Sequence, residues 1–188
     1  MNIPLKEIVV VALAISWLIF LVALFKARPW TRMDGSETRP SEGKWGTLFI
    51  VGGLVILCIP YAPAGIHSTD LDFEIAIGLS FLSLLLCFSA ILATRKQIWF
   101  PEGAFWPQLP RTGIYGIVRH PVYTALIVQA FATAFAVSWW LWMFAGIFFL
   151  VLGIDLRAAA DDLILANLFQ DEFFEYQAGS KAYLPWVH

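Results

Sequence analysis

Long uncharged apolar runs separated by short polar stretches dominate this chain. The runs are Ile8 to Phe25, Trp45 to about Tyr61, Ile75 to Thr94, and Pro121 to Ile154. A helix crossing a bilayer needs roughly 20 mostly apolar residues, with a working range of about 17–25. The first three runs therefore predict one span each. The second ends in "IPYAPAG", whose prolines discourage helix continuation. Asp72 and Glu74 mark the polar start of the third.

The fourth run is too long for one span. As a single helix it would measure about 51 Å, against a hydrocarbon core of about 30 Å. It predicts a hairpin of two short helices turning near Ala136–Trp140, with Ser138 in the turn, tryptophans at the interface and the second arm lengthened to about Ala160. Leu163, Leu165, Leu168 and Phe169 then carry helical periodicity past the membrane. Asp171 is placed to N-cap a short helix ending before Gly179. Phe173, Phe174 and Tyr176, interleaved with Glu172 and Glu175, give that helix an interfacial character. Arg32–Lys44 reads as a solvated loop.

The expected fold is an all-α integral membrane protein of about five transmembrane helices. The last two form a hairpin, followed by C-terminal cytoplasmic or interfacial helices. Residues 1–188 read as one membrane domain: three N-terminal spans and their loops over 1–108, and a site-bearing region over 109–188.

Composition agrees. The chain is 60% hydrophobic and 14% charged, whereas soluble domains average about 45–50% apolar and about 25% charged. The net charge of −2 says little; the distribution of cations says more. Lys26, Arg28, Arg32, Arg39 and Lys44 follow the first run, Arg95, Lys96, Arg111 and Arg119 the third, and Arg157 and Lys181 the last. With alternate segments on alternate sides, these share one face and only Lys6 falls on the other. The positive-inside rule then places the N-terminus outside and the C-terminus in the cytoplasm. The first run exceeds the usual signal-peptide core of about 7–15 residues and lacks a small-x-small site after it, which predicts a retained span. Cys58 and Cys87 lie in apolar runs and read as small hydrophobes.

Candidate chemistry gathers on the cation-rich face. In "GIYGIVRHPVYTAL", Gly113 to Leu126, Pro121 suits the first turn of the fourth helix and leaves Arg119 and His120 at its N-terminus, a place that favours anions. Arg157, Asp161 and Asp162 return to the same face at the end of the hairpin. Structural roles compete for each: Arg119 as a topology anchor, His120 on a loop carbonyl, Tyr115 and Tyr123 as belt residues, and Arg157–Asp161 as an i,i+4 pair. Asp161 and Asp162 differ by about 100° of helical rotation, so they cannot face one small pocket equally. "VGG" at Val51–Gly53 lacks the strand–turn–helix context of a dinucleotide fingerprint and reads as helix packing. His67, His120 and His188 are far apart in sequence, and no metal site is expected.

Taken together, "GIYGIVRHPVYTAL", the uncharged hairpin, "RAAADDLILANLFQDEFFEYQ" and the terminal "YLPW" resemble the isoprenylcysteine carboxyl methyltransferase and phospholipid methyltransferase superfamily. The resemblance covers about Leu109 to Val187. It departs from the family pattern in carrying Asp161–Asp162 for paired glutamates, Ile114 where proline is common, and Gly116 for a larger residue. It implies a membrane-embedded enzyme that uses S-adenosylmethionine, held by Tyr115, Arg119, His120, Tyr123, Asp161 and Asp162. Between the acids, the family pattern favours the second as the cofactor contact. Catalytic residues are not identified.

The implied acceptor is a lipophilic small molecule or lipidated substrate, isoprenylcysteine-like or phospholipid-like, drawn from among membrane lipids. Membrane-protein partners stay open and no nucleic acid is expected. Two alternatives remain at this stage: an inactive accessory membrane subunit that keeps the fold, and an NADPH enzyme related to the sterol reductases.

Overall fold

A computed structural model describes residues 5–26, 41–58, 69–98, 109–137 and 140–183. Those residues form six α-helices and no sheet: α1 (Leu5–Lys26), α2 (Ser41–Cys58), α3 (Asp70–Ile98), α4 (Pro121–Val137), α5 (Trp140–Phe169) and α6 (Asp171–Gly179). A single 3-10 turn, Gly113–Gly116, precedes α4. Tyr61, Ser138, residues 32–40 and the terminal residues 184–188 lie outside the described set, as do His67 and His188.

The first three uncharged runs supply α1, α2 and α3, and the fourth supplies α4 and the first half of α5; several ends differ from expectation. Ser41 to Lys44, expected as loop, form the first turn of α2, where Gly43 packs closely against Arg157 and Ala160 of α5. α3 begins at Asp70, ahead of the uncharged run, because Thr69 and Asp72 cap it reciprocally. Asp72 Oδ2 accepts from the Thr69 amide at 2.7 Å and hydroxyl at 2.8 Å, while the Asp72 amide donates to Thr69 Oγ1 at 3.3 Å.

α5 runs to Phe169, as the helical periodicity of Leu163, Leu165, Leu168 and Phe169 implies. The charges along its second half are matched sideways by other elements, and the helix passes through them. Asp171 is the first residue of α6, not its cap; the cap position is Gln170, whose φ of 46° and ψ of −124° break the helix.

Among the described residues, two stretches are long and apolar enough to cross a membrane, Asp70–Ala93 and Leu141–Phe169. The apolar stretches Glu7–Val22, Gly43–Cys58 and Pro121–Ala136 are shorter, 10–17 residues each. Only 28% of the first long window and 33% of the second are buried. Their outward faces carry bare apolar side chains such as Phe81, Phe88, Phe144 and Phe148.

α4 sits centrally, packed against α1, α2, α3 and α5. Its buried face is rich in alanine (Ala125, Ala130, Ala132, Ala134, Ala136), which lets neighbouring helices approach. Polar side chains lock this arrangement internally. Gln129, wholly buried, donates to Ser16 Oγ on α1 at 2.6 Å and accepts from Ser80 on α3 at 3.1 Å. Trp17 Nε1 donates to Thr133 Oγ1 at 2.9 Å.

α2 and α5 meet along glycines. A Cβ on Gly46 would lie 2.7 Å from the Gly153 carbonyl, and one on Gly53 would lie 2.7 Å from the Gly146 carbonyl. This seam fixes the depth of α5, and α5 carries the acids of the site.

Candidate functional site

The site forms where the N-terminus of α4, the second half of α5 and the segment after α6 converge. Gly113, with φ of 65°, opens the 3-10 turn that leads the chain into α4. Residues 117–120 then run beside residues 181–182. The Lys181 amide donates to the Ile117 carbonyl at 3.2 Å, and the Arg119 and His120 amides donate to the carbonyls of Lys181 and Ala182 at 2.7 and 3.0 Å. Val118 and Lys181 form an isolated parallel bridge. Thr124 Oγ1 extends the contact, donating to the Tyr183 carbonyl at 2.7 Å. The C-terminal segment is thus strapped across the mouth of α4.

The two acids separate as helical rotation requires. Asp162 turns toward α4: its Oδ1 lies 2.9 Å from His120 Nε2 and its Oδ2 3.6 Å from Arg119 Nη2. Asp161 turns toward Tyr123, whose hydroxyl donates to Oδ2 at 2.6 Å. Arg157 Nη2 reaches Asp161 Oδ1 at 3.3 Å, and its Nε donates to the Tyr123 hydroxyl at 3.3 Å. Two charge clusters therefore sit side by side, bridged by the adjacent rings of His120 and Tyr123, 5.6 Å apart.

Arg119 does more than face the start of α4. Its Nη1 donates to the carbonyls of Ser180 (2.7 Å) and Gln177 (3.3 Å) at the C-terminal end of α6, where a cation complements the helix dipole. Its Nε is buried without a hydrogen-bond partner among the described residues. An unmet buried donor on a cation is costly unless something supplies an acceptor.

Of the six residues singled out in the sequence, five are drawn together: Arg119, His120, Tyr123, Asp161 and Asp162. Tyr115 lies to one side. Its carbonyl accepts from the Tyr176 hydroxyl at 2.6 Å, and burial, with Tyr176 and Cys87 nearby, pushes its phenol up from the ordinary tyrosine range.

Two residues went unassigned in the sequence reading. Tyr183 packs its ring 5.9 Å from His120 and donates through its hydroxyl to Asp155 Oδ1 at 3.2 Å. Burial, followed by the charge and hydrogen bond of Asp155, pushes the Tyr183 phenol up, so it stays a donor at neutral pH. Asp155 lies two helical turns before Asp162 and therefore on the same face of α5, a spacing visible in the sequence. The Tyr183 contact has no local signal, since it depends on the chain returning after α6.

The donor set fits S-adenosylmethionine in kind. Arg119 offers an unmet N–H to a carboxylate. Asp155 and Asp161 offer acceptors for an ammonium or ribose hydroxyls. The rings of Tyr123 and Tyr183 offer faces to adenine or a sulfonium.

Comparison with known proteins returned nothing: no family model, no curated protein and no solved structure matches the chain.

Proposed function

We propose that this protein is a membrane-embedded methyltransferase that uses S-adenosylmethionine to methylate a lipophilic acceptor. The observation that carries the proposal is the part-buried cluster of Arg119, His120, Tyr123, Asp161 and Asp162, set at one end of an apolar helical hairpin. A site so placed can take a water-soluble cofactor from one side and a lipid-like acceptor laterally from the other. When bound, S-adenosylmethionine supplies an already activated methyl group, so the protein's contribution is mainly approach and orientation.

In this reading Arg119 holds the cofactor's carboxylate through its unmet Nε. Tyr123 presents a ring whose hydroxyl is pinned by Asp161 and Arg157. Tyr183, tied to Asp155, closes the strap over the site. The resemblance assigns His120 and Asp162 to the same cofactor; their mutual contact makes them the part of the site held most firmly before anything binds.

Five membrane spans with the N-terminus outside accompany this proposal. It is supported by the cation distribution, the bare apolar faces of the helices and the two stretches long enough to cross. Single cysteines placed at Ser36, Ser68 and the exposed Ala178, near the buried Ser180, test it by labelling from each side. Ser68 should react from outside and the other two from the cytoplasm; Ser36 and Ser68 on the same side would overturn the five-span arrangement.

A second reading, an accessory membrane subunit that keeps the fold without turnover, is favoured by the way these side chains already satisfy one another. Calorimetric titration with S-adenosylmethionine separates the two. The methyltransferase binds it, and Arg119→Ala loses a charge-assisted contact of about 1.5–3 kcal/mol, roughly tenfold to over a hundredfold in affinity. No heat from folded wild-type protein favours the accessory subunit.

A further inference from the structure

We propose that His120 and Asp162 form a proton-accepting dyad, and hence that the methyl acceptor is a group that must shed a proton, a thiol or an amine, rather than a carboxylate. This inference rests on the methyl-transfer reading and narrows its substrate class.

The geometry begins with Asp162. An ionised carboxylate only accepts hydrogen bonds, so the 2.9 Å contact with His120 Nε2 places the ring hydrogen on Nε2. In the neutral ring Nδ1 then keeps its lone pair, and it has no hydrogen-bond partner among the described residues. Because Nδ1 is not a buried unpartnered atom, it is the nitrogen that this ring, with a side chain just 8% exposed, presents to its surroundings. The ring is also held in place: Tyr123 and Tyr183 flank it at 5.6 and 5.9 Å, each tilted by 37°.

The charged groups facing this ring from every packed element are consistent with that role. From α5, Asp162 lies on Nε2, with Asp161 and Arg157 behind Tyr123. Arg119, preceding α4, shares the other oxygen of Asp162. Across the strap, Asp155 lies behind Tyr183. An imidazolium formed here would have the Asp162 carboxylate directly against it.

The step balances as follows. The acceptor's X–H proton passes to Nδ1 while the X lone pair forms the new bond to the methyl carbon. The carbon–sulfur bond breaks, and its electron pair stays on sulfur, which becomes a neutral thioether. The imidazolium then returns its proton to water. A carboxylate acceptor already lacks that proton and would leave Nδ1 without a task.

The test has two readouts. First, cofactor-free protein is titrated with N-acetylcysteamine, a simple alkyl thiol, at about pH 7.5, above the usual imidazole range of about 6.5 and below the usual thiol range of about 8.5, and the thiolate absorbance is followed. Wild type should raise the thiolate fraction on binding. His120→Gln, which can still donate to Asp162, should not.

Second, methyl-labelled S-adenosylmethionine is supplied with dodecanethiol, dodecylamine or dodecanoic acid. The thiol or the amine should be methylated, the pair showing which proton-bearing group is preferred. His120→Gln, assayed at saturating S-adenosylmethionine, should lose roughly a hundredfold or more in rate, as for loss of a general base, together with the acidic limb of the pH–rate profile. Methylation of dodecanoic acid at a rate unaffected by His120→Gln, or no ionisation of the thiol by wild type, overturns the dyad while leaving methyl transfer standing. No cofactor heat with wild type overturns both.

Discussion

Gly52 and Gly53 are neighbours in the middle of α2, and substituting each by alanine isolates the packing on which the position of α5 depends. A Cβ on Gly52 meets nothing within 4 Å. A Cβ on Gly53 would lie 2.7 Å from the Gly146 carbonyl oxygen, 2.7 Å from the Leu150 amide nitrogen and 2.9 Å from Leu150 Cβ. None of these is the far end of a flexible side chain, so relief requires the helices to part. Restoring an ordinary separation of about 3.5–4.0 Å opens the seam by about 1 Å. Both variants gain the same helix propensity, up to about 1 kcal/mol per glycine replaced by alanine. That gain cancels in the comparison, leaving the overpacking cost at Gly53, about 1–3 kcal/mol. Gly52→Ala should thus be neutral or slightly stabilising, and Gly53→Ala less stable than Gly52→Ala by about 1–3 kcal/mol. Reversible unfolding in mixed micelles, followed by helix content, measures both. Equal midpoints would refute a close α2–α5 contact, and with it the physical reason for the depth at which Asp161 and Asp162 stand.

Three further outcomes follow from single contacts. Gln170 holds a φ of 46° that side chains rarely adopt, so Gln170→Gly should raise stability by about 1 kcal/mol; a lower unfolding midpoint would show that the break after α5 is not strained. Asp162→Asn removes the charge partner of a guanidinium only 12% exposed and should cost about 1–3 kcal/mol. Asp161→Asn, at a pair that is 22% and 30% exposed, should cost only about 0–1 kcal/mol, and chemical unfolding of the two variants would contradict this if the order reversed. Burial, the main influence, pushes the Tyr176 phenol up to about 12 from 10.0. The folded state then holds this proton more tightly than the unfolded chain, so its contribution is intact below pH 10 and lost as pH rises toward about 12. Tyr176→Phe should flatten that alkaline loss, and an unchanged pH–stability slope would contradict it.

Much of this was legible in the sequence, and the reasons are local. Uncharged runs report helices because their side chains have no other solvent, and Pro121 marks the start of α4 because its missing N–H is harmless there. The different facing of Asp161 and Asp162, about 100° apart, follows from helical rotation alone. What was not legible depends on chain segments that return from a distance. The continuation of α5 to Phe169 was legible in its apolar periodicity, whereas the partners of Arg157, Asp161 and Asp162, the Tyr123 hydroxyl among them, depend on α4 being brought against them. The break at Gln170 carries no glycine or proline to announce it. The strap pairs residues 117–120 with residues 181–182, and no local pattern encodes that contact. Of "VGG", expected as helix packing, Gly53 makes the contact while Gly52 faces open space.

The most direct test of the central claim is transfer of label. Purified protein is incubated with methyl-labelled S-adenosylmethionine and a membrane lipid extract, and the organic phase is counted and fractionated. The account predicts a labelled lipophilic product from wild type and a strongly reduced yield from Arg119→Ala at the same cofactor concentration. Folded wild-type protein that binds no S-adenosylmethionine and transfers no label to any component of the extract would contradict it.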